Sequence, residues 1–364
     1  MAVSRINEAG LNVNQYGNRN LIINGGMKVA QRGTSETGIG ASSGYFTVDR
    51  YKLQVGATSA GRLTMTQEAI TDLPGFANCA KLACTTADTS IAAGELLLFR
   101  QILEGQDVQQ FAKGTSDAKE FTVSFYVKGN ASATYVCELF DGDNSRQISK
   151  TFSVTTSWTR VVLTFPADTT GAFADDNGVS LYLQIWLHGG SNYTSGTLNS
   201  TSWASNTNAN RAVGIDSFFD STSRTFFITG VQIEVGDTAT DFEHRTFDDE
   251  LRRCYRYYQS VENTAGSLQY LGIAQAYNTN NIFGIMKEYI LPMRTVPSVG
   301  QSGDFKFSTK DSTGVATGAI NNLAASSVGW YSGGWGSAGG ALIQGGASVI
   351  YWANGAKLTA DSEL

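Results

Sequence analysis

The sequence predicts an all-β protein whose core is a sandwich of antiparallel sheets. Four stretches alternate apolar and polar residues with a period of two, as a strand with one buried face requires. These stretches are 121–128, 160–165, 181–188 and 231–235. Only 16% of the 364 residues are charged and 40 are glycine, a composition that favours tight turns over long solvated helices.

Pattern changes along the chain predict four parts. Residues 1–17 lack hydrophobic periodicity, and residues 18–245 hold the alternating strands. A single helix is expected at 246–260, and residues 261–364 return to short strands and glycine-rich turns as a smaller C-terminal β domain. The first part is too polar to fold alone, so we expect an arm that becomes ordered against a partner. The apolar side chains expected to anchor it are Ile6, Leu11 and Val13.

The expected helix begins with Thr246 as its N-cap, followed by acidic residues in the first turn. Its apolar stripe has the spacing of zero, three, four and seven that places side chains on one helical face. The stripe consists of Leu251, Cys254, Tyr255 and Tyr258. We expect it to pack on a sheet or on copies of itself, which makes it a candidate oligomer interface.

Charge, hydrophobicity and cysteine content argue against several classes of protein. A net charge of -6 and a pI near 5.1 give no basic surface for nucleic acid. No segment is apolar for long enough to span a membrane, and we expect no secretion signal in the first 15 residues. The four cysteines are too few for a disulfide framework, so they are expected to pack as small hydrophobic thiols.

Groups that perform chemistry are scarce, and we expect neither an enzyme nor a cofactor. The only histidines are His188 and His244, so a Ser-His-Asp unit or a histidine-rich metal site has little to draw on. The loop at 141–145 offers oxygen ligands for calcium, but Phe152 stands where an EF-hand would need a bidentate glutamate. A hairpin turn is the favoured interpretation of this loop, and no metal site is expected.

Aromatic residues among small polar ones provide the remaining functional signal. Flat rings beside hydroxyl and amide groups suit sugars, whose apolar faces stack on rings. The candidates are Trp330, Tyr331 and Trp335 in the C-terminal part, and Tyr193 and Trp203 in the long polar segment 189–210. The alternative is that these rings pack at a subunit interface or beneath their own loops.

Two ordered motifs resemble those of bacteriophage tail-fibre and virion structural proteins that have a carbohydrate-binding-module-like jelly roll. The opening motif is NLIINGGM at 20–27, AQRGTS at 30–35 and FTVDRY at 46–51. The closing motif is GVQIEVG at 230–236, ATDFEHR at 239–245 and ELRRCYRYY at 250–258. The segment LPMRTVP at 291–297 also resembles the start of the β domain that often follows.

The resemblance implies a jelly roll in a virion protein, made in the host cytoplasm and assembled as a homotrimer. We expect a non-enzymatic tail fibre that attaches to other virion proteins through its arm and recognises host-surface polysaccharide. The alternatives are a capsid decoration or head-fibre protein without a specific receptor, and a tailspike that depolymerises glycan. The last is disfavoured because no repeat of about 20 to 25 residues, as in a β-helix, is evident.

Overall fold

The computed structural model describes residues 18–56, 60–279, 281–308, 315–317, 323–326, 329–332 and 342–364. The expected anchors Ile6, Leu11 and Val13, and the ring of Trp335, lie outside these residues. The described chain forms two compact units, one up to Glu250 together with Leu364, the other from Leu251 to Glu363. The prediction of an all-β fold is confirmed, with 23 strands and two α-helices in the described part.

The first unit is an antiparallel β-sandwich. Its strands are β1 (Ser35–Ile39), β2 (Gly44–Tyr45), β3 (Lys52–Gly56), β4 (Arg62–Ala69), β5 (Asn78–Thr86), β6 (Leu96–Glu104), β7 (Phe121–Gly129), β8 (Ala133–Asp141), β9 (Arg146–Val154), β10 (Thr159–Phe165), β11 (Val179–Gly189), β12 (Ala204–Ser205) and β13 (Thr225–Val235). A six-stranded sheet has the order β1-β4-β5-β13-β7-β10, and a seven-stranded sheet has the order β12-β9-β8-β11-β6-β3-β2. Successive strands cross repeatedly between the two sheets, as in a jelly roll.

The core lies between these sheets and follows the predicted alternation. Phe121, Val123, Phe125 and Val127 of β7 all point inward and are fully buried. Phe111, from one of the short 3-10 helices, stacks on Phe121 with ring centroids 3.7 Å apart. Burial of each large apolar side chain contributes about 1.5–3 kcal/mol, so this face alone is a substantial part of the stability.

The opening and closing motifs bind each other. The Leu21 amide donates to the Ile233 carbonyl at 3.1 Å, and the Asn20 side chain donates to the Val231 carbonyl at 3.0 Å. The Arg245 guanidinium donates to the Asn20 carbonyl, and at 3.0 Å to that of Ile22. These contacts join positions more than 200 residues apart, so the two motifs close one domain.

The turn after this contact requires special backbone geometry. Asn24 has a φ of +59°, and its backbone N–H donates to the Glu250 carboxylate at 2.7 Å. A Cβ on the next residue, Gly25, would lie only 2.2 Å from the Val231 carbonyl oxygen. The prediction of a turn with positive φ at residues 24–26 is therefore confirmed at Asn24, and these residues serve the fold.

The second unit is also built from strands. They are β14 (Tyr258–Glu262), β15 (Gln269–Ala276), β16 (Ile282–Glu288), β17 (Ser298–Ser302), β18 (Phe305–Ser308), β19 (Val315–Thr317), β20 (Leu323–Ala325), β21 (Gly329–Ser332), β22 (Ala347–Trp352) and β23 (Lys357–Asp361). One sheet has the order β14-β23-β17, and the other the order β19-β18-β22-β15-β16-β21-β20.

The helices are α1 (Ser191–Thr194) and α2 (Phe247–Tyr255), beside short 3-10 helices at Gly105–Asp107, Gln109–Phe111, Asn208–Asn210 and Phe218–Asp220. The N-cap prediction for α2 is confirmed, since the Thr246 hydroxyl accepts from the Asp249 amide at 3.3 Å. No helix within the described ranges is long and apolar enough to cross a membrane.

The helix is shorter than predicted, and its stripe is not intact. Tyr258 begins β14, where it pairs with Asp361 of β23, so the helical spacing fails at its last member. Cys254 is fully buried and Tyr258 is 6% exposed within the chain itself, so neither side chain is available to another subunit. Of the predicted stripe, only Leu251 and Tyr255 are partly exposed.

Candidate functional site

The outer face of the seven-stranded sheet presents polar and aromatic side chains in register. On β11 the outward positions are Tyr182, Gln184, Trp186 and His188, which alternate with buried leucine and isoleucine. Gln184 lies directly opposite Arg100 of β6 on one side and Glu138 of β8 on the other. Strand pairing therefore brings residues from distant positions into one row.

Glu138 organises the middle of this face. Its carboxylate is fully buried and accepts hydrogen bonds from Trp186 Nε1 at 2.8 Å and Gln184 Nε2 at 3.0 Å. Arg211 approaches from the segment after β11 and binds both carboxylate oxygens, at 2.8 and 2.9 Å. Such a bidentate pair is strong and geometrically specific, so these side chains are held in place without a ligand.

Arg100 lies next in the row and is held by neutral groups. Its Nη2 donates to Gln54 Oε1 at 2.8 Å, and its Nη1 donates to Gln184 Oε1 at 3.4 Å. The guanidinium carbon lies 5.2 Å from the centre of the Tyr182 ring. Desolvation of the partly buried guanidinium lowers the pKa of Arg100.

Two aromatic rings lie along this row. Tyr182 lies beside Arg100, and Phe140 lies beside Tyr182, 4.9 Å from the guanidinium carbon of Arg211. Phe140 and Tyr182 face each other across β8 and β11, with ring centroids 5.5 Å apart in an edge-to-face arrangement. Both rings are partly exposed, as are Arg100 and Gln54. We call these four residues the open strip. It combines exposed ring surface with amide and guanidinium groups, the elements of a polar ligand site.

The segment between β11 and β13 covers the other part of the face. Trp186, Leu98 and Val136 are buried there against Ala212, with Tyr193 packed on them. The Tyr193 ring lies 5.1 Å from that of Trp186 and is half-buried. The segment between β11 and β13 thus covers apolar side chains on the outer face of the seven-stranded sheet.

The prediction of an exposed ring is wrong for Trp203. Its side chain is only 7% exposed and belongs to the core cluster, with the ring 5.6 Å from Phe121. Its indole Nε1 donates to the Pro166 carbonyl at 2.9 Å. The indole N–H finds its partner inside the fold, and no ring face remains for a sugar.

The prediction is also wrong for Trp330. The side chain is fully buried, its Nε1 donates to the Thr359 carbonyl at 2.9 Å, and its ring lies edge-on to Tyr289 at 4.6 Å. The ring belongs to the hydrophobic core of the second unit. Tyr331 is the next residue of that strand and Trp335 lies beyond the described residues, so for these two rings glycan binding stays a prediction.

One group of three side chains resembles a catalytic triad, because a serine hydroxyl contacts an imidazole, which in turn contacts a carboxylate. His188 Nδ1 lies 2.8 Å from the Ser217 hydroxyl, and its Nε2 lies 3.2 Å from the Glu95 carboxylate. The imidazole is fully buried, and burial lowers the pKa of His188 in spite of Glu95. Ser217 Oγ also accepts from the Phe219 amide at 3.1 Å, as the cap of a 3-10 helix.

The candidate calcium loop is occupied by contacts within the protein. Asp141 accepts from the Asn144 amide at 3.0 Å, as in a hairpin turn, and Asp143 accepts from the Ala174 amide. The other Asp141 oxygen lies 2.5 Å from Lys113 Nζ, with both side chains fully buried. Across the described ranges, no group of three or more His, Cys, Asp or Glu side chains is placed to hold a metal ion.

The cysteine thiols are buried, whereas His244 is exposed. All four cysteine thiols are buried, in agreement with the prediction, and desolvation raises the pKa of Cys79 to about 12. His244 packs against Phe76 and Phe242, with ring centroids 5.2 and 4.9 Å away. Buried thiols with a raised pKa are poor nucleophiles.

No protein-family model matches the chain, and no curated protein matches it. Solved structures with a similar course of the backbone include the enzymatically active domain of tailspike protein 4 of bacteriophage CBA120 (10% identity, 60% of this chain, 21% of that chain, TM-score 0.30). A second is TmCBM61 in complex with β-1,4-galactotriose (8% identity, 60% and 99% coverage, TM-score 0.30).

A third is a family 11 carbohydrate-binding module from Clostridium thermocellum in complex with a mixed-linked tetrasaccharide (10% identity, 58% and 99% coverage, TM-score 0.26). The chain spans about a fifth of the tailspike protein it matches. At this level of similarity, a function has to be argued from the side chains themselves.

Proposed function

We propose that the protein is a non-enzymatic component of a bacteriophage particle, a tail fibre or fibre-like protein, that binds host-surface glycan through the open strip. The observation that carries the binding proposal is the placement of the partly exposed Tyr182 ring beside Arg100, which is bonded to Gln54, with the Phe140 ring edge-on to Tyr182. The wider assignment to a virion is supported by the resemblance of the opening and closing motifs.

The chemistry of the open strip suits a sugar. The C–H faces of a pyranose stack on aromatic rings, while its hydroxyls exchange hydrogen bonds with amides and guanidinium groups. Gln54 and Arg100 are already bonded to each other at 2.8 Å, so less side-chain freedom is lost when a ligand binds. A pre-organised face of this kind suits repeated, modest-affinity contacts along a polysaccharide.

The other parts of the proposal concern assembly. The arm at 1–17 attaches the protein to other virion proteins, and the protein forms a homotrimer made in the host cytoplasm. Cys254 and Tyr258 no longer support that trimer, because the chain itself buries them. The trimer therefore rests on the family resemblance, and its test is the mass in solution.

The competing function is hydrolysis through Ser217, His188 and Glu95, whose order favours an enzyme. We assign these three a structural role because the Ser217 hydroxyl caps a helix and the imidazole is sealed from solvent. A serine nucleophile would have to leave its cap to reach a substrate.

The binding test compares single alanine variants at two rings. Tyr182→Ala should lower affinity for host-surface polysaccharide about fivefold or more, since truncating a well-placed interfacial ring costs about 1 kcal/mol or more. Trp158→Ala is the matched control, a partly exposed ring on the other side of the sandwich whose Nε1 donates to Asp72 at 2.9 Å. Binding is measured by adsorption of the purified full-length protein to host cells.

Thermal unfolding of both variants shows whether they fold. If Tyr182→Ala folds and still binds like the parent, the open strip is not the glycan site. If neither the parent nor any variant binds host polysaccharide, a decoration protein without a specific receptor becomes the better assignment.

A further inference from the structure

Arg100 differs from four other arginines of the first unit, each of which has a carboxylate partner. Arg146, Arg211, Arg224 and Arg245 each lie within 3.5 Å of a carboxylate oxygen. Within the described residues, no carboxylate oxygen lies within 4 Å of the Arg100 guanidinium, whose hydrogen-bond acceptors are the amide oxygens of two glutamines. A cation that is partly buried and lacks an anion is energetically unfavourable.

The nearest acid in the row does not compensate this charge. Glu138 is already bound by both donor nitrogens of Arg211 and by two further N–H groups. Arg100 Nε is buried and makes no hydrogen bond to any of the residues that the structure describes. Each terminal nitrogen uses one hydrogen on a glutamine, which leaves a second hydrogen on each for another acceptor.

We infer that the open strip selects acidic sugars, with Arg100 binding the carboxylate of a uronic-acid or sialic-acid type residue while Tyr182 and Phe140 contact its ring. This inference rests on the proposed glycan binding and names its ligand class. The planar guanidinium fork matches a planar carboxylate, and a charge-assisted hydrogen bond is about twice as strong as a neutral one.

Bulk electrostatics do not produce such a preference. The net charge of the chain is -6, so the protein as a whole repels polyanions. Preference for an acidic over a neutral sugar therefore has to come from a local cation. This makes the effect of one arginine measurable.

The test uses the full-length protein and an array of oligosaccharides of galacturonate, glucuronate and N-acetylneuraminate, each printed beside its methyl ester. The ester keeps the ring and removes the charge. We expect at least one acid to bind about tenfold or more tightly than its ester, because a hydrogen bond to a charged group is worth about 1.5–3 kcal/mol. Arg100→Gln should abolish that ratio, and Arg100→Lys should retain only part of it.

Arg160→Gln is the matched control. Arg160 is a partly exposed arginine on β10 whose guanidinium carbon lies 6.0 Å from the Tyr126 ring, on the outer face of the six-stranded sheet. The Arg160→Gln substitution removes the same charge from the molecule at a different place. It should therefore leave the ratio of acid binding to ester binding unchanged.

The outcomes separate this inference from the proposed function. Equal binding of acids and esters, or an unchanged ratio in Arg100→Gln, would overturn the carboxylate assignment, while loss of binding to the neutral esters in Tyr182→Ala would still support the glycan site. Binding of no glycan at all overturns both. If Arg100→Gln does not fold, the ratio of acid binding to ester binding in the parent protein decides whether the strip selects acidic sugars.

Discussion

Replacing Lys113 by methionine should remove a buried cation that fastens several loops of the sandwich. Lys113 Nζ lies 2.5 Å from Asp141 and 3.1 Å from Asp168, and it donates to the carbonyls of Thr170 and Gly171 at 2.9 and 2.7 Å. Methionine fills a similar volume, but it leaves the Asp141 carboxylate without a cation. The variant thus isolates the charge from the packing.

The expected loss is large because Lys113, Asp141 and Asp168 are all buried. Removing one partner of a buried ion pair costs about 3–5 kcal/mol. Asp168 keeps Arg146, at 2.8 Å, so we expect the loss to come mainly from Asp141 and the two carbonyls. With a slope of about 3 kcal/mol per molar urea, this corresponds to a midpoint lower by roughly 1 to 2 M.

Hydrogen exchange of β8 and β9 in increasing urea measures this loss within the first unit. A second variant, Lys113→Met with Asp141→Asn, removes the unpaired charge and should recover part of the stability. A shift below about 0.3 M in the single variant, or no recovery in the double variant, would refute the argument that the buried charge pair is what stabilises these loops.

The same cluster predicts a pH dependence. Burial raises the pKa of Asp168, but hydrogen bonds from Arg146 and Lys113 outweigh it and hold that pKa below its ordinary value. A depressed folded-state pKa stabilises the protein above the unfolded value, about 3.9, and this stability is lost as the pH falls through the folded pKa. Urea midpoints between pH 6 and pH 3 should therefore fall more in the parent than in Lys113→Met.

Three further predictions concern other regions. Light scattering of the full-length protein should give about three times the chain mass of 38.9 kDa, and a value near one chain would contradict the trimer. Ser217→Ala should leave glycan binding intact, and a fluorophosphonate probe should not label Ser217 in the parent; labelling would favour the hydrolase. Trp330→Ala should destabilise the second unit by about 3–5 kcal/mol, measured by its urea midpoint, because the ring is fully buried, and an unchanged midpoint would contradict that burial.

The strands were predictable because their signal is local. The alternation at 121–128, 160–165, 181–188 and 231–235 falls within β7, β10, β11 and β13, and its apolar members form the core. The N-cap of α2 was predictable for the same reason. The end of that helix was not, since Tyr258 continues the helical spacing while its pairing with Asp361, 103 residues later, makes it a strand residue.

The aromatic residues show that local composition does not predict which side chains are exposed. Glycine and serine around Trp330 indicate turns, yet its neighbours in sequence do not reveal which way a short strand turns the ring. Trp203 lies in a polar segment and still reaches the core, where its N–H binds the Pro166 carbonyl. Exposure is decided by strand parity and by partners distant in the chain, and neither is visible in a window of ten residues.

Predicting the open strip requires both the local alternation of the sequence and the long-range pairing of the strands. Its members Gln54, Arg100, Phe140 and Tyr182 come from four strands, and only the register of β3, β6, β11 and β8 brings them together. One signal was nevertheless present in the sequence. The four outward positions of the alternating stretch 181–188 hold two aromatic rings, an amide and an imidazole, whereas a merely solvated face needs only small or charged side chains. A central strand with such a face has partners on its outer side, and here they are Arg100, Glu138 and the rings on which we place the sugar.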